Sequence, residues 1–264
     1  MYRAKLLVIK GLEGLNSQQL WELQSVFGEP WAEKEYHDSN EKTQLTESGD
    51  GCVTAYGNLI TKSIGNLSMP WHRDIPWHYE KRYPIRSLYP TELSMGAGKA
   101  GTEFADCDVL LKRLRPHHVE MMRRTTLIIQ NWYQVQAGNI EPDRKAIPLI
   151  DRHPVTGMES VLLNSFRTLP LGSSRHSVVN RGAWIVGARI DDEAIPYEEA
   201  HDWLEYLHAL VDTNDNLYTH QWELGDLVLF DNFSGVFHRR DAIEAPEGAE
   251  RRFWRMNLKH RITP

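Results

Sequence analysis

His72 and Asp74 flank a single residue in Trp71-His72-Arg73-Asp74. On a β-strand, residues i and i+2 face the same side. An imidazole and a carboxylate spaced this way can close together on one metal ion. A surface histidine hydrogen-bonded to its neighbouring aspartate fits the same tripeptide. His238 is a candidate third ligand, in a short strand-like run after the apolar stretch Leu227 to Phe230 and the turn residues Asp231-Asn232. Two neutral imidazoles and one carboxylate would take one face of a metal and leave the opposite positions open. That donor set suits Fe(II), with zinc as a chemical competitor. Read alone, His238 is better explained as a histidine hydrogen-bonded beside Arg239.

A second cluster is cationic: Glu250-Arg251-Arg252-Phe253-Trp254-Arg255. Positions i and i+4 of a strand share a face, so Arg251 and Arg255 can both enter an interior while Arg252 turns away. A buried guanidinium needs an anionic partner, because an unpaired buried charge is costly. Structural ion pairs would serve these arginines as well as a bound carboxylate.

Many short elements must position these groups. Leu6 to Ile9 reads as a first strand. Asn16 or Ser17 can cap a helix through Leu20, Trp21, Leu23, Gln24 and Phe27, stopped by Gly28-Glu29-Pro30. Glu33 to Gly51 is polar and aperiodic, a loop. Cys52 to Ile60 has strand composition, and Tyr83 to Pro90 is extended. Asp106 can cap a helix carrying Val109, Leu110, Leu111 and Leu114 inward, closed by Pro116. Thr126 to Val135, Ser160 to Asn164, Tyr218 to Trp222, Leu227 to Phe230, Val236 to His238 and Arg252 to Leu258 read as strands. Glu198 to Val211 is a second amphipathic helix. His153-Pro154-Val155-Thr156-Gly157 and Glu223-Leu224-Gly225-Asp226 are turn chemistry. Short strands between Gly and Pro turns, with few helices, predict a barrel or jelly roll with helical buttresses in one domain, residues 1–264.

The composition is ordinary for a globular chain, 41% hydrophobic and 25% charged, with a formal net charge of -6. That balance argues against general nucleic-acid binding. Basic residues pair at Arg123-Arg124, Arg239-Arg240 and Arg251-Arg252; such pairs are usually solvated surface, and position decides which are functional. Cys52 and Cys107 form no metal or redox motif and fit reduced thiols in the cytoplasm. The N-terminal apolar run is too short for a signal peptide, and no stretch has the apolar length to span a bilayer.

Five motifs in order resemble the taurine/2-oxoglutarate dioxygenase family, the TauD/TfdA-like enzymes. Trp71-His72-Arg73-Asp74 matches W-H-x-D. Gly101-Thr102-Glu103-Phe104-Ala105-Asp106 resembles G-x-T-x-[FW]-x-[DS], although here Thr102 directly follows Gly101. His153 to Gly157 resembles H-P-x-T-G. Trp222 to Asn232, followed by His238, resembles W-x-x-G-D-x-x-x-x-D-N...H, and Arg251 to Arg255 resembles R-x-x-x-R. Together they span nearly the whole chain. The resemblance implies a mainly β fold with flanking helices, the double-stranded β-helix or distorted jelly roll. It implies Fe(II) on His72, Asp74 and His238. It implies 2-oxoglutarate held by Arg251 and Thr102, with Arg255 near the keto acid end or the substrate. O2 would be consumed, succinate and carbon dioxide released, and an unactivated C–H of a small, acidic or zwitterionic metabolite hydroxylated. Desaturation or cyclisation uses the same cofactor chemistry. Asp74 argues against halogenation, since family halogenases carry a small residue there.

Trp77, His78 and Tyr79 lie where family members often contact substrate, and Tyr56 and Asn58 are candidates by position; all five also fit as packing residues. A zinc hydrolase using the same triad, and a silent binding protein on the same fold, are the competing readings. No nucleic-acid or membrane partner is expected, and homo-oligomerisation is left open.

Overall fold

The computed structural model describes residues 4–31, 44–45, 53–57, 69–73, 85–94, 101–131, 141, 143–162, 183–213, 217–233, 236–240 and 249–259. Two antiparallel sheets form the body. The major sheet runs β1 (Leu6–Ile9), β15 (Leu227–Asp231), β6 (Ile85–Leu93), β17 (Arg251–Lys259), β4 (Val53–Gly57), β3 (Gln44–Leu45), and β2 (Glu29–Trp31) also pairs with β17. The minor sheet runs β14 (Leu217–His220), β7 (Thr102–Asp106), β16 (Val236–Arg240), β5 (Met69–His72). A third sheet of β13 (Glu193–Ile195), β12 (Ala183–Ile190), β8 (Thr125–Asn131) and β9 (Arg144–Pro148), and a hairpin of β10 (Ile150–Arg152) with β11 (Glu159–Val161), complete the strands. Apart from β3 and β4, neighbours in the major and minor sheets are distant in sequence, as the expected jelly roll requires.

Alternation along the strands divides the apolar residues between three cores. In β15, Leu227 and Leu229 face α1 (Ser17–Gln24), meeting Leu20, Ile85, Met256 and Leu258. Val228 and Phe230 face the other way, into a chamber between the sheets shared with Leu88, Phe104, Trp222 and Phe253. Behind the minor sheet, Trp71 and Ala105 join α2 (Cys107–Arg113), the third sheet and α4 (Tyr197–Asp212) in the largest core. Each strand is amphipathic toward two different apolar layers, so a one-residue slip would exchange them.

Local signals set the helix starts. Asn16 caps α1 through a capping box with Gln19, and Asp106 caps α2 by accepting from the Asp108 N–H. Pro116 does not simply close α2. It opens a further helix, α3 (Pro116–Arg123), at the first position, where its missing N–H costs nothing. Pro90 lies inside β6, beside a register irregularity opposite Arg252 and Phe253, which is where a strand tolerates a residue without an N–H. No helix among the described residues is long and apolar enough to cross a membrane.

Candidate active site

β5 and β16 are adjacent, and their register pairs His72 with position 238. On its other side, position 238 pairs with Phe104 of β7. Directly opposite positions share a face of a sheet. Phe104 is buried in the inter-sheet chamber, so the row Phe104, 238, His72 lines that chamber. His72 itself is buried. Its neighbours point outward, as strand alternation demands. The Trp71 indole donates to Asp212 Oδ1 at 2.9 Å in the outer core. The Arg73 guanidinium donates to Ser160 Oγ at 3.1 Å, to the Val161 carbonyl at 2.6 Å and to the Phe233 carbonyl. Asp74, Asn58, Trp77, His78 and Tyr79 lie outside the described residues, as do the side chains of Tyr56 and His238. Among the described residues no three His, Cys, Asp or Glu side chains gather as a metal cage.

The facing wall is β17. Arg251, Phe253, Arg255 and Asn257 alternate on one side, while Arg252 turns out to Glu250 Oε1 at 2.6 Å. The Arg251 guanidinium is buried and lies 4.1 Å from the centre of the Phe253 ring. β4 approaches so closely here that a Cβ at Gly57 would run into the Arg251 carbonyl oxygen. Phe253 meets Trp222 edge-on, ring centres 4.8 Å apart. The Trp222 indole N–H donates to Thr102 Oγ1 at 2.9 Å. An indole nitrogen can only donate, so the Thr102 oxygen is the acceptor and its own proton is left to give elsewhere. Thr102 and Arg251, distant in sequence, thus meet the same aromatic pair. Position 56 of β4 stands opposite Phe253. Arg255 stands opposite Leu88 and Thr54, and its carbonyl accepts from Thr54 Oγ1 at 3.3 Å.

One chamber residue went unnoticed in the sequence. Arg86 of β6 lies in the row Phe230, Arg86, Asn257. It is buried and donates from Nε to Asn257 Oδ1 at 2.9 Å. Phe230 touches Phe104, ring centres 5.4 Å apart, so Arg86 shares the layer of the His72 row. Along β17, Arg255 sits one layer from that row, Phe253 two and Arg251 three. The available signal was an arginine in the first half of a strand with Ile85, Leu88 and Tyr89, which marks either an edge or a polar interior.

The turn motifs fasten these walls. His153 Nδ1 accepts from the Val155 and Thr156 N–H groups at 3.0 and 3.1 Å, and its Nε2 faces Asp231 Oδ2 at 3.1 Å. His220 Nε2 faces Asp226 Oδ2 at 3.0 Å, and its Nδ1 meets the Tyr218 hydroxyl at 2.9 Å. Burial holds the His220 pKa below the ordinary histidine value, against the pull of Asp226. Gly225 takes φ +88° in the turn after Trp222, where a Cβ would strike Glu13. Burial pushes the Cys107 thiol up, out of reach of ionisation.

Two opposed antiparallel sheets around a chamber, with a buried histidine on one wall and inward arginines on the other, define a jelly-roll enzyme. The chain belongs to the taurine catabolism dioxygenase TauD, TfdA family, whose model matches residues 1–257. It is an Fe(II)/2-oxoglutarate-dependent dioxygenase, and its cofactors are Fe(II), 2-oxoglutarate and O2. The crystal structure of a taurine dioxygenase from Burkholderia xenovorans is similar in fold, with a TM-score of 0.64 at 15% identity over 96% of this chain and 76% of that one. A second structure from Burkholderia xenovorans, described as an alpha-ketoglutarate dependent 2,4-D dioxygenase, gives 0.60 at 18% identity over 97% of this chain and 83% of that one. No curated protein matches the chain.

Proposed function

We propose that this dioxygenase hydroxylates an unactivated C–H of a small anionic or zwitterionic metabolite. His72, Asp74 and His238 hold the Fe(II), and Arg251 and Thr102 hold the far carboxylate of 2-oxoglutarate. The observation that carries this reading is the pairing of His72 with position 238 on a chamber wall that also holds Thr102 and faces Arg251. The donor types fit the metal: imidazole and carboxylate on one side, with positions left open. The buried Arg251 guanidinium and the outstanding Thr102 proton fit a carboxylate.

When bound, the iron supplies oxygen activation coupled to conversion of 2-oxoglutarate into succinate and carbon dioxide. The chain does the rest. Phe104, Phe230 and Phe253 line the chamber with buried apolar surface, which strengthens an arginine–carboxylate attraction there. Arg255 and Arg86 offer cationic groups nearer the histidine layer, and these suit an acidic substrate. The two neighbours are named for taurine, an amino sulfonate, and 2,4-D, a carboxylate; each carries an anionic group. The whole chain, 1–264, acts as one domain in this reading.

The test is succinate release. Protein with Fe(II), ascorbate and 2-oxoglutarate is offered a panel of small carboxylates, sulfonates and amino acids, and release above the substrate-free rate is expected for an anionic member. Without oxygen, the Fe(II) and 2-oxoglutarate complex should show a weak visible absorption band. Intact protein that gives no band and no binding of 2-oxoglutarate overturns the reading.

A further inference from the structure

We infer that Trp222 is a positioning residue for the co-substrate: its indole N–H fixes the Thr102 hydroxyl so that the hydroxyl proton points at the far carboxylate of 2-oxoglutarate. The inference rests on the reading above that Thr102 and Arg251 hold that carboxylate.

A threonine hydroxyl rotates freely and can accept or donate along several directions. Left alone, it would have to be frozen on binding. Here one direction is already taken. The indole nitrogen lies 2.9 Å from Thr102 Oγ1 in a buried contact, and this nitrogen has nothing to do but donate. The oxygen is therefore committed as acceptor on that side, and its proton is turned to the other.

The indole cannot easily rotate away from this task. Phe253 meets it on one side at 77°, ring centres 4.8 Å apart. His220 meets it on another at 88° and 4.4 Å. His220 is itself clamped, by Asp226 at 3.0 Å and the Tyr218 hydroxyl at 2.9 Å. The ring that bounds Trp222, Phe253, also carries the Arg251 guanidinium on its face. One aromatic wedge thus sets the spacing of hydroxyl and guanidinium before any ligand arrives. Such preorganisation lowers the ordering cost of binding. It also makes a prediction about which part of the ligand is felt: the carboxylate far from the metal, and not the keto acid end.

The test compares 2-oxoglutarate with pyruvate, which keeps the keto acid and lacks the far carboxylate. Both are titrated by calorimetry into full-length, Mn(II)-loaded protein without turnover. Trp222→Phe keeps a ring in the site and deletes the donor together with the pyrrole half of the indole; the pyruvate arm reports any general loss of packing. It should weaken 2-oxoglutarate about tenfold and leave pyruvate unchanged. Thr102→Val should do the same, and the double variant should be no weaker than either single, since both remove one device. Equal 2-oxoglutarate affinity in Trp222→Phe and wild type overturns the inference. So does an equal loss for pyruvate, which would mark a merely structural role. A wild-type protein that binds no 2-oxoglutarate sinks instead the reading beneath it. Should Trp222→Phe fail to fold, the wild type still decides. With isotope-labelled indole nitrogens, the Trp222 signal, recognised by its displacement in Thr102→Val, should shift on adding 2-oxoglutarate and stay still with pyruvate. A signal that ignores both ligands is the contrary result.

Discussion

His153 Nε2 lies 3.1 Å from Asp231 Oδ2, with side chains only 1% and 2% exposed. The ring's other nitrogen accepts from two backbone N–H groups, so in the neutral imidazole the proton sits on Nε2 and faces the carboxylate. Asp231 Oδ1 accepts from the Phe233 N–H at 2.9 Å, and the Asp231 N–H donates to the Lys5 carbonyl at 2.8 Å. The Phe233 carbonyl in turn accepts from Arg73. The turn that leads into β16, and so to His238, is therefore tied to the His153 turn, to the first strand and to the residue after His72.

Removing the histidine takes the acceptor from the Val155 and Thr156 N–H groups and opens a cavity beside the buried Asp231 carboxylate. His153→Ala should cost about 3 kcal/mol, and the thermal midpoint should fall by roughly 10 °C. Asp231→Asn should also destabilise, because one amide oxygen cannot replace both carboxylate oxygens and the NH2 would face either the Phe233 N–H or the imidazole. Thermal unfolding of both variants checks this; a His153→Ala midpoint equal to wild type would contradict it.

Strand alternation at β5 separates stability from metal binding. Trp71 is a buried ring in the outer core, and Trp71→Ala should destabilise by about 4 kcal/mol. His72→Ala removes a chamber side chain and should leave a folded protein that no longer takes up Fe(II). Differential scanning calorimetry with and without metal distinguishes them, since only a variant that still binds metal gains stability from its addition.

Arg86 and Arg255 should act on the substrate and spare the co-substrate. Losing a charge-assisted hydrogen bond of about 2 kcal/mol predicts roughly a thirtyfold rise in substrate KM for Arg86→Gln. The dissociation constant for 2-oxoglutarate should not move in that variant. Arg251→Ala should do the reverse, weakening 2-oxoglutarate first. Steady-state kinetics with the substrate found by succinate release, beside direct binding of 2-oxoglutarate, reads out both; a shared loss in Arg86→Gln would refute the division.

His220 gives a pH signature. Burial lowers its pKa in the folded state below the ordinary value of 6.5, with Lys10 adding to the effect and Asp226 and Glu223 opposing it. Between those two values the unfolded chain binds a proton that the folded chain does not. Stability therefore rises with pH across that window and is lost as pH falls through it. Thermal midpoints measured downward from neutral pH should drop, and His220→Gln should flatten this part of the profile. An unchanged slope in the variant would show that other groups dominate.

Spacing and composition alone determined a good deal. The shared faces of His72 with Asp74 and of Arg251 with Arg255 follow from local order, because covalent geometry and strand period fix which neighbours share a face; the W-x-x-G-D run and His238 took their meaning from the family resemblance. That is why Arg73 and Arg252 could be turned outward from the sequence, and why Asn16 and Asp106 could be read as caps. The last strand's alternation, Phe253 and Arg255 against Trp254 and Met256, was legible for the same reason. Long-range register was not. That His72 faces position 238, that Arg86 enters the chamber and that Trp222 donates to Thr102 depend on which apolar faces are buried together across the fold. Local dihedrals do not encode that choice. It emerges only when β5, β7 and β16 close against β6, β15 and β17, and each strand must satisfy two apolar layers at once. The same closure turned His153 from a turn residue into a buried partner of Asp231, because only tertiary packing brings the two motifs to one point.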